Sequence, residues 1–492
     1  MTARETFPRL LLAEWTKLRS VSRWVITLLG AAVLTIGLSA LAASASRSDM
    51  NAHPNFVPGP RAEPVTDSFY FVHQPVTGDT TLTVRVASLT PPHERKRLSV
   101  GGTGMTLLPD PDPFAGAAAG IMIKDGVRSG SSYAAVMLTG AHGVRMQSDF
   151  VEDLTGSTSR GTRWLRLVRA GNTITGYESA DGTAWRKIGT ATPKNLPATT
   201  EVGFYVSSAP SIYVSRGGGS SSVGERPTRT SATFDGIVLS GASQWKGEQI
   251  GNLEVTEKGG PGGGEHSQAG SGFVVEGTGK VGPKPPDDDV VEIALIGVIA
   301  GLMALICVGA LFATSEYRRG IIRATFAATP RRGRVLAAKA IVLAASSYAV
   351  SLVGVVAAFM LALPKLREHG FAPPAFPQPS LMDGAVLRAV LLSAGFMTLV
   401  AVFSMGVGML LRRSAIAITL TIVLVLLPVI LGTALPGTAP RWLMYTTLAG
   451  GLATQRAKPP TVTLAEPWAM IGPWAGIAVV MAYAGLALGL AW

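Results

Sequence analysis

The sequence predicts a polytopic α-helical membrane protein of six transmembrane helices, with an all-β sandwich inserted between helices 1 and 2. Three observations predict it. Charge is scarce: 15% of the 492 residues are Asp, Glu, Lys or Arg, against about 25% in an average soluble domain. Six stretches are long and apolar enough to cross a bilayer core of about 30 Å, which takes about 20 helical residues. Between the first and second of them lies a polar region, residues 47–289, whose apolar positions alternate in short runs. A disordered tail protein, a disulfide scaffold and a single soluble domain are excluded.

The spans fall near 24–45, 291–313, 340–363, 389–411, 415–435 and 474–492. Apart from Glu292 at an entrance they hold no Asp, Glu, Lys or Arg. A charge at a helix centre costs about 2.5–3.5 kcal/mol on insertion scales, so the absence is a signal. Trp24, Trp474 and Trp492 stand at span ends, where amphipathic rings favour the interface. Only Arg412, Arg413 and Ser414 part the fourth span from the fifth. Ala43-Ser44-Ala45 offers an A-x-A-like cleavage site. The apolar run before it exceeds the ~7–15 residues of a signal-peptide core, so a retained anchor is expected.

The formal charge of +12 is unevenly placed. Residues 47–289 carry 23 Lys and Arg against 24 Asp and Glu, which leaves +13 on the remainder. Arg4, Arg9, Lys17, Arg19 and Arg23 precede the first span, and Arg318, Arg319, Arg323, Arg331, Arg332, Arg334 and Lys339 follow the second. By the positive-inside rule these segments and Arg412–Arg413 are cytoplasmic, which puts both termini inside and residues 47–289 outside a plasma membrane. Topology accounts for the basicity, so nucleic acid is not expected as a partner. The single cysteine, Cys307, lies inside the second span, so no intramolecular disulfide can form.

The outer region is expected to be linker over 47–66 and β-sandwich over 67–240. Thr81 to Val86 alternates with period two, and Arg163 to Arg169 does so again. Ala170-Gly171-Asn172 and Ala180-Asp181-Gly182 supply turns, and further runs lie at 173–177, 185–188, 202–206 and 233–238. Short strands at this spacing indicate an antiparallel sandwich. The run Trp164-Leu165-Arg166-Leu167-Val168-Arg169, then Gly171-Asn172-Thr173 and Ser179 to Trp185, resembles the concanavalin A-like (laminin-G-like) jelly roll. Ala119 to Asp125 fits the same pattern. That resemblance implies glycan contact through Trp164 and Trp185. The competing expectation is that both rings pack in the core or brace a hairpin. No carboxylate pair shows metal-ligand spacing, and Asp125 and Asp181 are explained as turn residues.

Residues 241–289 are rich in Gly and Pro and read as a junction, with one further strand expected at Phe273-Val274-Val275-Glu276. Gly277-Thr278-Gly279-Lys280 fails as a phosphate loop, because Val281 stands where a Ser or Thr would meet Mg²⁺.

Two cytoplasmic segments carry the functional reading. Ala13 to Ser20 as a helix sets Leu11, Trp15 and Leu18 on one face, which suits a helix lying in the headgroup plane. After span two come Glu316-Tyr317-Arg318-Arg319-Gly320-Ile321-Ile322-Arg323 and Thr329-Pro330-Arg331-Arg332-Gly333-Arg334. Thr329-Pro330 makes an N-cap and N1 pair, so a short basic helix is expected within 315–339.

Both segments resemble the permease subunits of ABC-2-type transporters, six-span exporters of the ATP-binding cassette superfamily. The carrying motifs are Glu14-Trp15-Thr16-Lys17-Leu18-Arg19, the Glu316 to Arg323 run and Pro330 to Lys339, and the likeness covers about 8–46 and 291–492. The resemblance implies a connecting helix, with Glu14, Trp15, Lys17 and Arg19 at the interface. It also implies a coupling helix whose Glu316, Tyr317, Arg318, Arg319, Gly320, Arg323, Arg331 and Arg332 meet a separate cassette ATPase subunit. Residues 436–473 resemble the family's outer re-entrant helices. The sandwich departs from the family's usual short first loop.

The chain has no Walker A motif, so no catalytic residue, metal or cofactor is expected in it. ATP and Mg²⁺ belong to the partner ATPase, in two copies, and a second permease copy or homologous permease completes the expected complex. Gly395, Gly406 and Gly408 are expected to permit close helix packing. No ionisable group lies mid-span, so the expected cargo is amphipathic or lipid-like rather than a small ion. The rival readings are glycan sensing by the sandwich, or transmission of ATPase motion to it without transport.

Overall fold

The computed structural model describes residues 7–48, 57–91, 105–107, 116–217, 220–239, 244–251, 263–284, 288–318, 332–435, 439–458 and 467–492. Its helices are α1 (Phe7–Ser20), α2 (Ser22–Ala45), α3 (Val290–Leu295), α4 (Val298–Arg318), α5 (Arg332–Glu368), α6 (Gly384–Leu411), α7 (Ser414–Ala434), α8 (Ala439–Tyr445) and α9 (Pro473–Ala491). Among the described residues six helical segments are long and apolar enough to cross a membrane, α3 and α4 counting as one.

At the centre stands α6, packed against α4, α5, α7 and α9, with 67% of its apolar stretch buried. By contrast α2, α7 and α9 turn large apolar side chains outward, among them Val33, Ile430 and Met481. Small residues set how closely the helices approach. A Cβ on Gly309 would lie 2.1 Å from the Ala401 carbonyl of α6, and one on Gly297 only 1.9 Å from the Thr35 carbonyl of α2. Of the glycines expected to allow close packing, Gly406 meets Ala487 and Gly408 meets Ala310, but Gly395 is in ordinary contact with Ile477. Among the described residues, 439–458 and 467–470 hold α8 and two 3₁₀ turns, Leu448–Gln455 and Pro467–Met470. The first turn is wholly buried and packs against α6 and α9.

The third span begins earlier than its apolar run. Of the range 315–339 in which a short basic helix was expected, 315–318 end α4, 332–339 are the first turns of the 37-residue α5, and 319–331 lie outside the described residues. Thr329 and Pro330 lie outside the described residues. Lys339 sits inside this continuous helix because its ammonium is paired there, as described below.

Between α2 and α3 lie two seven-stranded antiparallel sheets. One runs β12 (Arg186–Ala191), β11 (Thr173–Ser179), β10 (Arg163–Ala170), β4 (Thr80–Leu89), β16 (Thr230–Leu239), β19 (Gly272–Gly277), β18 (Glu265–Ala269). The other runs β17 (Lys246–Ile250), β3 (Phe69–Thr77), β13 (Thr199–Ser208), β6 (Ala117–Lys124), β7 (Tyr133–Thr139), β8 (Gly143–Ser148), β9 (Glu152–Thr155). Leu82, Val84, Leu165 and Leu167 of the first meet Ile121, Val136, Val202 and Phe204 of the second in one core. Phe204 gathers the rings of Phe234, Trp245 and Phe273 within 4.9–5.2 Å.

A small sheet of β1 (Val57–Pro58), β2 (Pro64–Asp67) and β20 (Val281–Pro283) brings Val57, Val65 and Val281 against the outer face of the second large sheet. That face therefore carries Phe69, Phe71, Met122, Tyr133 and Tyr205 in a second apolar cluster. Pairing of Val65 with Pro283 and of Asp67 with Val281 joins the strand that opens the region to the strand that closes it. Among the described residues no such sheet covers the outer face of the first large sheet. A fourth sheet of β15 (Ser220–Arg226), β14 (Ser211–Gly217) and β5 (Met105–Leu107) approaches α7, with Cα atoms within 8 Å.

The segment expected to be mainly junction supplies β19, the one strand expected there, and also β17, β18 and β20. Its polar composition concealed edge strands: β18 is Glu-His-Ser-Gln-Ala with one face in solvent, a pattern open to loop and strand alike.

Candidate functional site

The three basic segments that the sequence separates meet at one end of the helical bundle. α1 stops at Ser20 because Val21 is extended, and α2 starts at the next residue, Ser22. The break lays α1 against α5. Its packed face carries Leu11, Glu14 and Leu18, with Lys17 half-buried beside them. Trp15 does not join Leu11 and Leu18: it is 44% exposed, and with Leu12 it forms an outward apolar strip. Arg19 is exposed. The reason is that the packed stripe follows the carboxylate partner, Glu14, rather than the bulkiest ring.

Glu14 enters a buried network of four charged residues. Lys339 Nζ donates to Glu14 Oε2 at 2.7 Å and to Glu316 Oε1 at 2.9 Å. Lys17 Nζ donates to Glu14 Oε1 at 2.7 Å and to Glu316 Oε1 at 3.1 Å. Two carboxylates and two ammonium groups balance, which is the condition for holding ions out of water. Lys339 is 2% exposed and lies 4.3 Å from the Phe312 ring centroid, and Phe312 in turn meets Trp24 edge-on at 5.3 Å. Burial alone would lower the Lys17 pKa; hydrogen bonding and charge from Glu14 and Glu316 hold it above its ordinary 10.5. The next residue, Tyr317, has the Arg412 guanidinium 5.6 Å from its ring, which ties the α6–α7 turn to the same end.

Glu316 precedes and Lys339 follows residues 319–331, which lie outside the described residues. Arg318 ends α4 and Arg332 opens α5, both with backbone alone described, while Arg319, Gly320, Arg323 and Arg331 lie outside the described residues. Thus Glu316, expected to meet the partner ATPase, and Glu14, expected at the interface, both face inward. Lys339 was missed as a site residue. A lysine flanked by Ala-Ala and Ala-Ile-Val at the start of an apolar helical run is the signal that could have found it.

At the opposite end a second polar cluster was not foreseen. Asp289 caps α3, its Oδ1 accepting from Val291 N at 3.0 Å and Glu292 N at 3.4 Å. Its Oδ2 accepts from Ala457 N at 2.8 Å and Lys458 N at 2.9 Å. Arg388 donates to the Arg456 and Ala457 carbonyls, Arg456 pairs with Glu292 at 3.4 Å, and Trp468 Nε1 donates to Glu292 Oε1. One carboxylate thus fastens the chain leaving the sandwich to the loop after the buried 3₁₀ turn.

Neither Trp164 nor Trp185 belongs to the sandwich core. Both stand half-exposed on the outer face of the first large sheet, each with an arginine over its ring. Arg85 lies 5.7 Å from the Trp164 centroid and Arg166 lies 3.7 Å from that of Trp185. Gly182 and Gly236, both at positive φ, seat the Trp164 ring; a Cβ at either would strike it, at 2.9 and 2.4 Å. Nearby Glu178 is buried. Burial would raise its pKa, yet the Ser157 hydroxyl and amide and the Arg186 guanidinium hold it below the ordinary 4.5. Among the described residues no group of three or more His, Cys, Asp or Glu could hold a metal ion.

No protein-family model matches this chain, and no curated protein matches it. Several solved structures align with part of it, two of them as follows. A functionally unknown protein from Saccharomyces cerevisiae is 16% identical, covering 38% of this chain and 83% of its own, with a TM-score of 0.20. The scytalido-glutamic peptidase solved with a transition state analog inhibitor is 10% identical, covering 43% and 98%, with a TM-score of 0.24. Likeness at this level places the chain in no family.

Proposed function

We propose that this chain is the membrane-spanning permease subunit of an ATP-binding cassette exporter, an ABC-2-type permease carrying an inserted concanavalin A-like jelly roll. It would sit in a bacterial plasma membrane with both termini inside and residues 47–289 outside. ATP and Mg²⁺ would be bound by a separate cassette ATPase, and a second permease copy would complete the path. The observation that supports this most is the four-residue network. It fastens α1, the end of α4 and the start of α5 to one another, so a push on residues 319–331 reaches three helices at once. A surface loop that only set topology would need no such fastening.

The test is co-purification. Arg318→Glu, Arg319→Glu and Arg323→Glu together should cut the retained cassette ATPase by about tenfold, the loss of roughly 1.4 kcal/mol. Failure of the unmodified chain to retain any ATPase would overturn the reading.

One observation favours the second reading, in which ATPase motion reaches the sandwich without export: the β14–β15 hairpin lies against α7. Excision of residues 60–285 separates the two. Continued export by the shortened chain supports transport with an accessory sandwich; ATPase coupling without export in the full chain supports transmission.

A further inference from the structure

The outer face of the second large sheet holds a charged pair sealed among aromatic rings. Lys124 ends β6 on the face that also carries Met122. Its ammonium donates to Asp67 Oδ2 at 2.7 Å and to the Ser131 carbonyl at 3.0 Å. Both side chains are 0% exposed. Lys124 Nζ lies 5.6 Å from the ring centroid of Tyr133, its neighbour across the β6–β7 ladder, and 5.9 Å from that of Phe150. Burial, with Tyr205 and Asp67 adding to it, pushes the Tyr133 phenol well above its ordinary 10, which marks the surroundings as poorly solvated. The Lys339 network differs. There two carboxylates share two ammonium groups, and Lys17 reaches solvent at 36% exposure.

Asp67 is held in place by one loop. Gly130 N donates to its Oδ2 at 2.8 Å, and Ser129 Oγ to its backbone carbonyl at 2.8 Å. Gly130 sits at φ +80°, and a Cβ there would lie 2.3 Å from the Pro58 carbonyl, so the loop reaches the carboxylate only with glycine. Oδ1, by contrast, is buried with no hydrogen-bond partner among the described residues. Two further acids of this face are occupied elsewhere. Glu201, opposite Lys124 on β13, turns to His73 at 2.6 Å, and Asp149 accepts from the Tyr133 and Lys194 amides. One amine thus faces one carboxyl group, and one oxygen of that group is bound to nothing.

We infer that Lys124 and Asp67 condense into an amide, a covalent cross-link between β6 and β2. One proton crosses from Nζ to the carboxyl group along the existing hydrogen bond, which leaves a free amine and a neutral acid. The nitrogen lone pair then attacks Cγ. The N–C bond forms, the Cγ–Oδ1 bond breaks, and Oδ1 departs as water with that proton and a second one from nitrogen. No oxidant or cofactor enters the balance. The polar atoms of the product already have partners: the amide N–H keeps the Ser131 carbonyl, and Oδ2 keeps the Gly130 N–H. The oxygen lost is the one without a partner. Groups fixed in reacting position have effective concentrations of about 10⁵–10⁸ M, which drives a step that is slow between free molecules. Exclusion of bulk water opposes the reverse hydrolysis. Asp67 closes β2, the strand paired with β20, so the bond rivets the small sheet to the large one. The inference depends neither on transport nor on which side of a membrane the sandwich lies.

The test is mass spectrometry of the full chain, purified in detergent, then unfolded and digested with trypsin. A branched peptide carrying both Asp67 and Lys124, one water lighter than its two linear parts together, should be the main form. Trypsin should fail to cut after Lys124, and fragmentation should place the bond between the two side chains. Lys124→Arg keeps the charge but cannot form the amide, so the branched peptide should vanish; its persistence would overturn the inference. If that variant does not fold, the digest of the unmodified chain carries the test alone. Linear peptides only, with Lys124 and Asp67 both free, would overturn the inference and leave a buried ion pair. Loss of water confined to the Asp67–Ser68 peptide, as a cyclic imide, would overturn it too, as would a bond from Lys124 to Glu201 or Asp149.

Discussion

Lys339 and Glu14 are 325 positions apart in the chain, and their charged atoms lie 2.7 Å apart inside the protein. Each side chain is nearly sealed from solvent, at 3% and 4% exposure. The contact joins α1 to the start of α5, and Glu316 adds the end of α4. Neither partner could be buried alone, because an unpaired ion in a low-dielectric setting costs several kcal/mol.

Lys339→Met should therefore destabilise the protein by about 3–5 kcal/mol, since it leaves two buried carboxylates to one lysine. Adding Glu14→Gln should restore part of the loss, as the double change removes charge from both sides. Thermal unfolding of the detergent-solubilised chain reads both effects. A double-variant loss equal to the sum of the Lys339→Met and Glu14→Gln losses would show that the two side chains act independently.

Gly309 and Gly395 should part company. Gly309→Ala places a methyl 2.1 Å from a backbone oxygen of α6, so helices α4 and α6 must separate, at about 1–3 kcal/mol. Gly395→Ala meets only the end of Ile477 at 4.0 Å and should be tolerated or slightly stabilising, as alanine is the better helix former. A reversed order of unfolding temperatures would contradict the packing described.

The sandwich should lose stability in acid through Glu178. Its pKa is depressed in the folded state, so the stabilisation is complete above about 4.5 and fades as pH falls through the lower folded value. Glu178→Gln should cost about 2 kcal/mol at neutral pH and much less below the window, because Arg186 and Ser157 lose a charged acceptor in both cases. Lys17 has the opposite sign: its contribution is complete below 10.5 and is lost as pH rises through the higher folded value. Urea unfolding across pH checks each slope.

Orientation can be read with single thiols, because Cys307 is the sole cysteine of the sequence. In a Cys307→Ser background, Thr183→Cys in an exposed turn should react with a membrane-impermeant maleimide on intact cells. Arg413→Cys, exposed at the α6–α7 turn, should react only after permeabilisation. The reverse pattern would invert the proposed topology.

Apolar length and β-alternation were legible from residues alone. All six long helices coincide with apolar runs, and β4 and β10 with the alternation at Thr81 to Val86 and Arg163 to Arg169. β7 was not legible. Tyr-Ala-Ala-Val-Met-Leu-Thr is buried at all seven positions because the small sheet and its neighbours help cover the outer face, so no polar face marks its period. At the charged network the residues Glu14, Lys17 and Glu316 were legible, but not their direction. Facing inward depends on a lysine far along the chain, and no local spacing encodes such a meeting. The Asp289 cluster escaped for the same reason, since its partners come from 388 and 456–468.

The pairing of β2 with β20 sets the entry to the sandwich and the exit from it side by side. A domain hung in this way imposes no fixed spacing between the helices that carry it, since their ends need only reach one point. It can be grafted onto a hairpin of two spans, or excised from it, without re-threading the bundle. An architecture of six long apolar helices could therefore acquire so large a domain between its first two and leave the helical part to fold as before.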